Sequence, residues 1–358
     1  MAELQAIEWR NDEARRTYQR RLAVVAVPLA FTLLVAVWVL WQENSVSSAT
    51  DASNTSSVVV SEGQAASTFE PPAAPTVPPQ QNAYAITSAY VAATLRDYEE
   101  LMINVPVSDP RAAPAGGATL ETVQVWVRSP YWINTSAGAS RQARAVAAAP
   151  AALQEVFRKL PAAVRQGKGT PDELRAAVQA GVATGYIRGP QGAWPPGSAD
   201  IERWMREFGL GQDCSGFVYE ALSRADRALA SRGAGGFSNP LGGPATYVGS
   251  ATLARGGEPV ARPDDLRPGD VMYRPPSASN PIGHIRIIDE VRAGDGGIAF
   301  HTAESTASLD GPAARWWRFP DPSRFASLEE QSDGTWHVAP AEEQANEYSR
   351  RLLPGTRD

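Results

Sequence analysis

The chain has one cysteine, Cys214, and three histidines, His284, His301 and His337. A thiol with a histidine beside it is material for nucleophilic catalysis: the imidazole takes the proton and the thiolate attacks an electrophilic carbon. One cysteine excludes an intrachain disulfide. In an exported chain it leaves a thiol free to react. A lone cysteine otherwise serves as a small buried apolar residue, so its neighbourhood has to decide between the two. Here it lies in Gly211-Gln-Asp-Cys-Ser-Gly-Phe-Val-Tyr219. After it, Phe217, Ala221, Leu222, Ala225 and Leu229 mark one face of a helix,. Cys214 therefore falls at or near a helix N-terminus, where the partial positive charge of the helix end favours thiolate over thiol. Free backbone N–H groups at the same place can hold an oxyanion.

The base has to come from the histidines. His284 opens the apolar run Gly283-His-Ile-Arg-Ile-Ile-Asp-Glu-Val291, a turn follows at 293–297, and the chain returns through Ile298-Ala-Phe-His301. This spacing predicts a β-hairpin. If the register places both rings on one face, one is the base and the other orients it. His337 has no such context and reads as an ordinary surface or core residue. Cys214, His284 and His301 are also zinc-ligand types. Asp-Cys-Ser-Gly on a helix is not a metal-ligand spacing, however, so neither a metal nor another cofactor is expected. Asp213 is an awkward neighbour, because a carboxylate beside the thiol opposes thiolate formation unless it points away.

Those residues need a scaffold. Residues 153–160 carry Leu153, Val156, Phe157 and Leu160 at helical spacing,. Thr170-Pro-Asp-Glu173 is a helix start, with Thr170 as cap, Pro171 at the first helical position and Glu173 completing a capping box,. A third helix is expected over 198–208, with Ile201, Trp204, Met205 and Phe208 as its core stripe and Gly209 as its stop. Ahead of these, 85–101 has helical spacing, and 119–128 alternates like a strand with Val123, Val125 and Val127 on one face. Residues 83–194 are thus expected to form a small helical or mixed region without chemistry of its own.

The N-terminal part is of another kind. Residues 22–41 are uncharged and apolar, and about 20 such residues span a hydrocarbon core of about 30 Å. Trp38 and Trp41 lie near the distal end. Arg15, Arg16, Arg20 and Arg21 precede the span, so the N-terminus is expected in the cytoplasm and the rest outside. The apolar stretch is longer than a cleaved signal peptide carries, and Gln42-Glu-Asn44 is a poor cleavage site,. A single-pass anchor in the cell membrane is therefore expected, with residues 1–21 cytoplasmic. Residues 42–82 are rich in Ser, Thr, Ala and Pro, a composition expected to form a disordered spacer. The net charge of −6 gives no electrostatic case for nucleic-acid binding.

Taken in order, Asp213-Cys-Ser-Gly-Phe-Val218, Leu266-Arg-Pro-Gly-Asp-Val-Met-Tyr273, Gly283-His-Ile285 and Phe300-His-Thr-Ala303 resemble the NlpC/P60 family of bacterial cell-wall cysteine peptidases. The resemblance covers residues 195–340 and leaves 341–358 as a C-terminal tail. It implies an α+β, papain-like fold, with the cysteine helix packed on an antiparallel sheet. It also implies hydrolysis of peptide bonds in peptidoglycan stems. By position, Cys214 is then the nucleophile, His284 the base and His301 the third polar residue, and Asp213 and Ser215 contact the substrate's amino end. Many members carry a Tyr-x-Trp-Gly-Gly-like run about a dozen residues before the cysteine. Here that place reads Glu202-Arg-Trp-Met-Arg-Glu-Phe208, which leaves substrate specificity open. The Gly-rich stretch 233–261 is expected to be a long loop over the cleft. The competing class is a non-catalytic envelope-binding protein on the same fold.

Overall fold

The computed structural model describes residues 83–112, 121–231, 244–277, 281–294, 296–344 and 346–351. The expected membrane span over 22–41 and the spacer over 42–82 lie outside them. Among the described residues no helix is long and apolar enough to cross a membrane.

The described chain is a mixed α+β structure. Its first part runs α1 (Ala83–Glu99), β1 (Leu101–Pro106), β2 (Thr122–Val127), α2 (Ser136–Ala148), α3 (Ala151–Lys159), α4 (Ala162–Arg165), α5 (Pro171–Ala183) and α6 (Ser198–Phe208). The helix starts and stops follow the local chemistry. Thr170 Oγ1 accepts from Glu173 N and Glu173 Oε2 accepts from Thr170 N, which is the expected capping box on α5. Gly209 ends α6 in the left-handed region at φ 62°, a conformation that L side chains rarely adopt. Strand β2 pairs antiparallel with β1. Along its valine face burial rises from exposed Val123 to buried Val127.

The second part holds α7 (Cys214–Ala230), α8 (Ser250–Arg255), β3 (Asp270–Arg274), β4 (His284–Gly294), β5 (Gly297–Thr306), β6 (Gly311–Phe319), β7 (Glu329–Ser332), β8 (Thr335–Val338), α9 (Ala341–Gln344) and β9 (Glu347–Arg351). The seven strands form one antiparallel sheet in the order β8-β7-β6-β5-β4-β3-β9. From β3 to β8 it is a meander, and β9 returns to the far edge beside β3.

The sheet separates two apolar layers because strand side chains alternate between faces. Val271, Tyr273, Ile285, Ile287 and Ala303 face the helices, in one core with Phe217, Ala221, Ala225 and Leu229 of α7. Met272, Ile288, Phe300, Trp317 and Phe319 face the other way, against Val260, Leu266, Leu328 and Ala339. The helix-side core also takes in Val91, Leu101, Ile103, Leu153, Leu174 and Val178. Residues 83–194 thus share a core with the cysteine helix, and the packing has no break at 194/195.

Two further expectations are corrected. Residues 341–351 are not a tail: β9 extends the sheet, and Glu343 of α9 reaches Arg274 of β3 and Arg286 of β4. The segment is short and polar, so no apolar period announced it. The stretch 233–261 is not all loop either. It carries α8, whose Leu253 and Ala254 are buried in the core.

Candidate active site

Asp213 is the N-cap of α7. It is extended at φ −89°, ψ 169°, and its Oδ1 accepts from Gly216 N at 2.6 Å. The first helical residue is then Cys214, 3% exposed, at the positive end of a 17-residue helix,. The residues just before it are held from three directions. Gln212 N donates to Pro130 O at 3.0 Å and Trp132 N donates to Gln212 O at 3.2 Å. Ser305 Oγ, on β5, also donates to Gln212 O, at 2.7 Å. Asp213 N donates to Gly167 O at 2.9 Å.

His284 is the first residue of β4 and is buried, 7% exposed. Cys214 lies near enough to its imidazole to act on it electrostatically. Nε2 of the ring meets Glu304 Oε2 in a short contact. Strand alternation explains why Glu304 is the partner. Ile287 lies opposite Ala303, so the same antiparallel register sets Arg286 across from Glu304, with His284 two residues further on the same face. Burial pushes the imidazole down, but the Cys214 thiol and the Glu304 carboxylate outweigh it and hold it at about 9. The ring is therefore an imidazolium at neutral pH.

Glu304 is fully buried and is kept ionised by cations. Burial raises it, while Arg286, His284 and Arg315 together bring it down to about 2. Arg286 Nε lies 3.4 Å from Oε2 and Arg315 Nε lies 3.2 Å from Oε1. Arg286, 2% exposed, stacks over Trp317 at 4.6 Å and pairs through Nη2 with Glu343 at 3.1 Å. Glu343 also takes Arg274 Nη1 at 2.6 Å. The acid behind the histidine thus sits in a continuous charged network that reaches the C-terminal helix. Such a network fixes geometry because each member's partners are themselves held.

No protein-family model, curated protein or solved structure matches the chain. The functional reading therefore rests on residues and geometry.

Cys214 and His284 lie within electrostatic reach of each other. His301 does not join them. It lies three residues from Glu304, an odd separation that puts it on the opposite face of β5. There its Nδ1 pairs with Asp289 Oδ1 at 2.7 Å, and its ring packs on Trp316 with centroids 4.9 Å apart. The place expected for His301 is taken by Glu304. The zinc reading loses its geometry for the same reason, and among the described residues no group of three or more His, Cys, Asp or Glu is set to hold a metal. His337, on β8, bonds Thr335 Oγ1 at 2.7 Å and stays outside the site.

Asp213 and Ser215 flank Cys214, but a residue outside the motif already occupies them. Lys168 Nζ donates to Asp213 Oδ1 and Oδ2 at 2.9 and 2.8 Å and to Ser215 Oγ at 2.6 Å. Tyr131 is a second unforeseen neighbour. Burial first, then the nearby Cys214 and Asp213, push its phenol well above the ordinary range, so it stays protonated. Tyr131 and Trp132 lie in the segment that pairs with Gln212. Tyr131 thus acts on the cysteine from about 80 residues upstream, rather than from the 202–208 run where an aromatic was sought. Glu304 was discoverable from strand parity. Lys168 and Tyr131 sit in short connecting segments whose spatial address no local pattern encodes.

Proposed function

We propose that the chain is a membrane-anchored cysteine hydrolase that cleaves peptide bonds in cell-wall peptidoglycan stems, on an NlpC/P60-like, papain-like fold. The observation that carries the hydrolase reading is the buried His284 imidazole, bonded to Glu304 and within electrostatic reach of Cys214 at the start of α7. The cell-wall substrate and the outward orientation rest on the ordered motifs and on the arginine-flanked apolar segment over 22–41.

In this reading the Cys214 thiol passes its proton to His284, and the thiolate formed is stabilised by the imidazolium and the helix end. The thiolate attacks a substrate amide carbonyl. The helix-start N–H groups of Gly216 and Phe217 are committed to Asp213, so those of Cys214 and Ser215 are the donors for the oxyanion. His284 then gives its proton to the leaving amine, and water releases the acyl group through the same base. Glu304 stays ionised throughout and holds the ring. No step calls for a cofactor.

The test is digestion of purified peptidoglycan and soluble muropeptides under reducing conditions, with mass spectrometry of the products. Wild type should yield one new amine and one new carboxylate per cut. Cys214→Ala should give none. His284→Asn should lose about 10³-fold in kcat, within the range for removal of a general base. An intact wild-type protein that cuts no stem peptide would sink the reading.

A further inference from the structure

The nucleophile has a structural difficulty that the catalytic pair does not resolve. Asp213, the residue before Cys214, is 6% exposed. An ionised carboxylate this close to a thiol, out of bulk water, weighs against the thiolate. It cannot be dispensed with, since its Oδ1 caps α7 through Gly216 N.

Lys168 answers both requirements. Its ammonium contacts both carboxylate oxygens and Ser215 Oγ, and the two charged side chains are each 9% exposed. The loop that carries it is built for this place. Gly167 has φ +75°, and a Cβ there would lie 2.6 Å from Trp132 O. That close approach lets Gly167 O accept from Asp213 N at 2.9 Å. Behind the loop, Tyr98 Oη donates to Gly169 O at 2.8 Å, and Lys168 N donates to Ala163 O at 2.8 Å. One turn therefore fixes both the backbone and the charge of the residue before the cysteine. Among the described residues, His284 from β4 and Tyr131 from the 129–132 segment also act on Cys214, with Arg274 of β3 acting on Tyr131.

We infer that Lys168 is a positioning residue for the nucleophile: it cancels the Asp213 charge so that the N-cap is kept without penalising the Cys214 thiolate. The inference rests on the thiolate chemistry proposed above. It also means that Asp213 and Ser215 are engaged within the protein and are not open acceptors for a substrate ammonium group.

The experiment is iodoacetamide alkylation of the full chain, whose sole cysteine makes intact mass an unambiguous readout. Rates are measured from pH 5 to 9. Lys168→Met should move the pH midpoint of alkylation upward by about one unit, the lower end of what a neighbouring charge does. At a fixed pH below both midpoints that is about a tenfold slower reaction. Asp213→Asn retains a good N-cap and leaves the lysine uncompensated, so it should move the midpoint downward. The double variant should return close to wild type, and Lys168→Arg should retain the wild-type profile. A purely structural role predicts shifts of the same sign for both single variants, or none. Either outcome, with folding verified by circular dichroism and thermal melts, overturns the inference. If Lys168→Met does not fold, the sign of the Asp213→Asn shift decides alone. Failure of the hydrolase reading shows separately: opposite shifts without any cleavage of peptidoglycan leave this inference standing and remove that one.

Discussion

The hairpin of β4 and β5 holds two histidine–carboxylate pairs that look interchangeable in composition and differ in everything else. His284–Glu304 lies at the open end of the hairpin, with both residues buried and two arginines on the acid. His301–Asp289 lies nearer the turn, with the His301 side chain 21% exposed. The faces differ too. The regular β4–β5 register puts His284 and Glu304 on the same side of the sheet, while His301 points to the other side. A register irregularity between Ile288 and Glu290 brings Asp289 to His301. A histidine with a carboxylate is thus not enough to make a base. Strand register decides which carboxylate each histidine meets.

The sharpest way to break this contrast is Glu304→Gln. The amide keeps the shape but cannot balance the imidazolium, and it leaves Arg286 and Arg315 facing a neutral group. Activity should fall about 10²-fold in kcat, because the base loses the group that orients it and balances its charged form. Stability should fall by about 3 kcal/mol, the scale for removing one member of a buried ion pair. Stopped assays on muropeptides and urea denaturation measure the two separately. Near-wild-type kcat in a folded Glu304→Gln protein would show that the two pairs are equivalent after all, with neither tuning the cysteine.

How far the sequence carried this contrast can be read from single residues. Cys214 before an amphipathic run and His284 at the head of an apolar strand were legible, because a helical period and a strand start are local signals. The capping box at Thr170 and the stop at Gly209 were legible for the same reason. His301 was chosen over Glu304 because residue type was weighed and parity was not, although three residues along a strand always reverses the face. Lys168, Tyr131 and Glu343 were not legible. Each acts across 45 or more residues of sequence, through connecting segments or a short polar helix whose composition resembles any surface segment. The absence of chemistry expected over 83–194 is corrected in the same way. A region without a catalytic motif still supplies the lysine that meets Asp213, the residue before Cys214.

The pairs should also separate by pH. His284 is held at about 9 against its usual 6.5, so its contribution to stability is fully present below about 6.5 and is lost as pH rises through about 9,. Glu304 is held at about 2 against its usual 4.5, so its contribution is present above about 4.5 and is lost as pH falls towards 2,. Wild-type unfolding free energy, from denaturant titrations at each pH, should therefore decline between pH 7 and 9. In Glu304→Gln that decline should shrink, because the histidine no longer has its anion. An undiminished alkaline decline in the variant would mean that the imidazolium depends on something other than Glu304.

The smallest effect belongs to the other pair. His301 packs on Trp316, over which Arg292 also stacks at 4.2 Å, so its ring has a packing role that an amide of smaller size partly fulfils. His301→Asn and Asp289→Asn should each leave kcat on muropeptides within about twofold and the alkylation profile of Cys214 unmoved. The stability change should stay near 1 kcal/mol, as for loss of one partly exposed hydrogen bond. Such a result assigns the second pair to the hairpin rather than to the site. A tenfold loss of kcat in His301→Asn with the alkylation profile intact would instead place His301 on the substrate. The helix-side face of β5 would then be part of the binding surface, and the third polar residue implied by the family resemblance would have a role in specificity rather than in proton transfer.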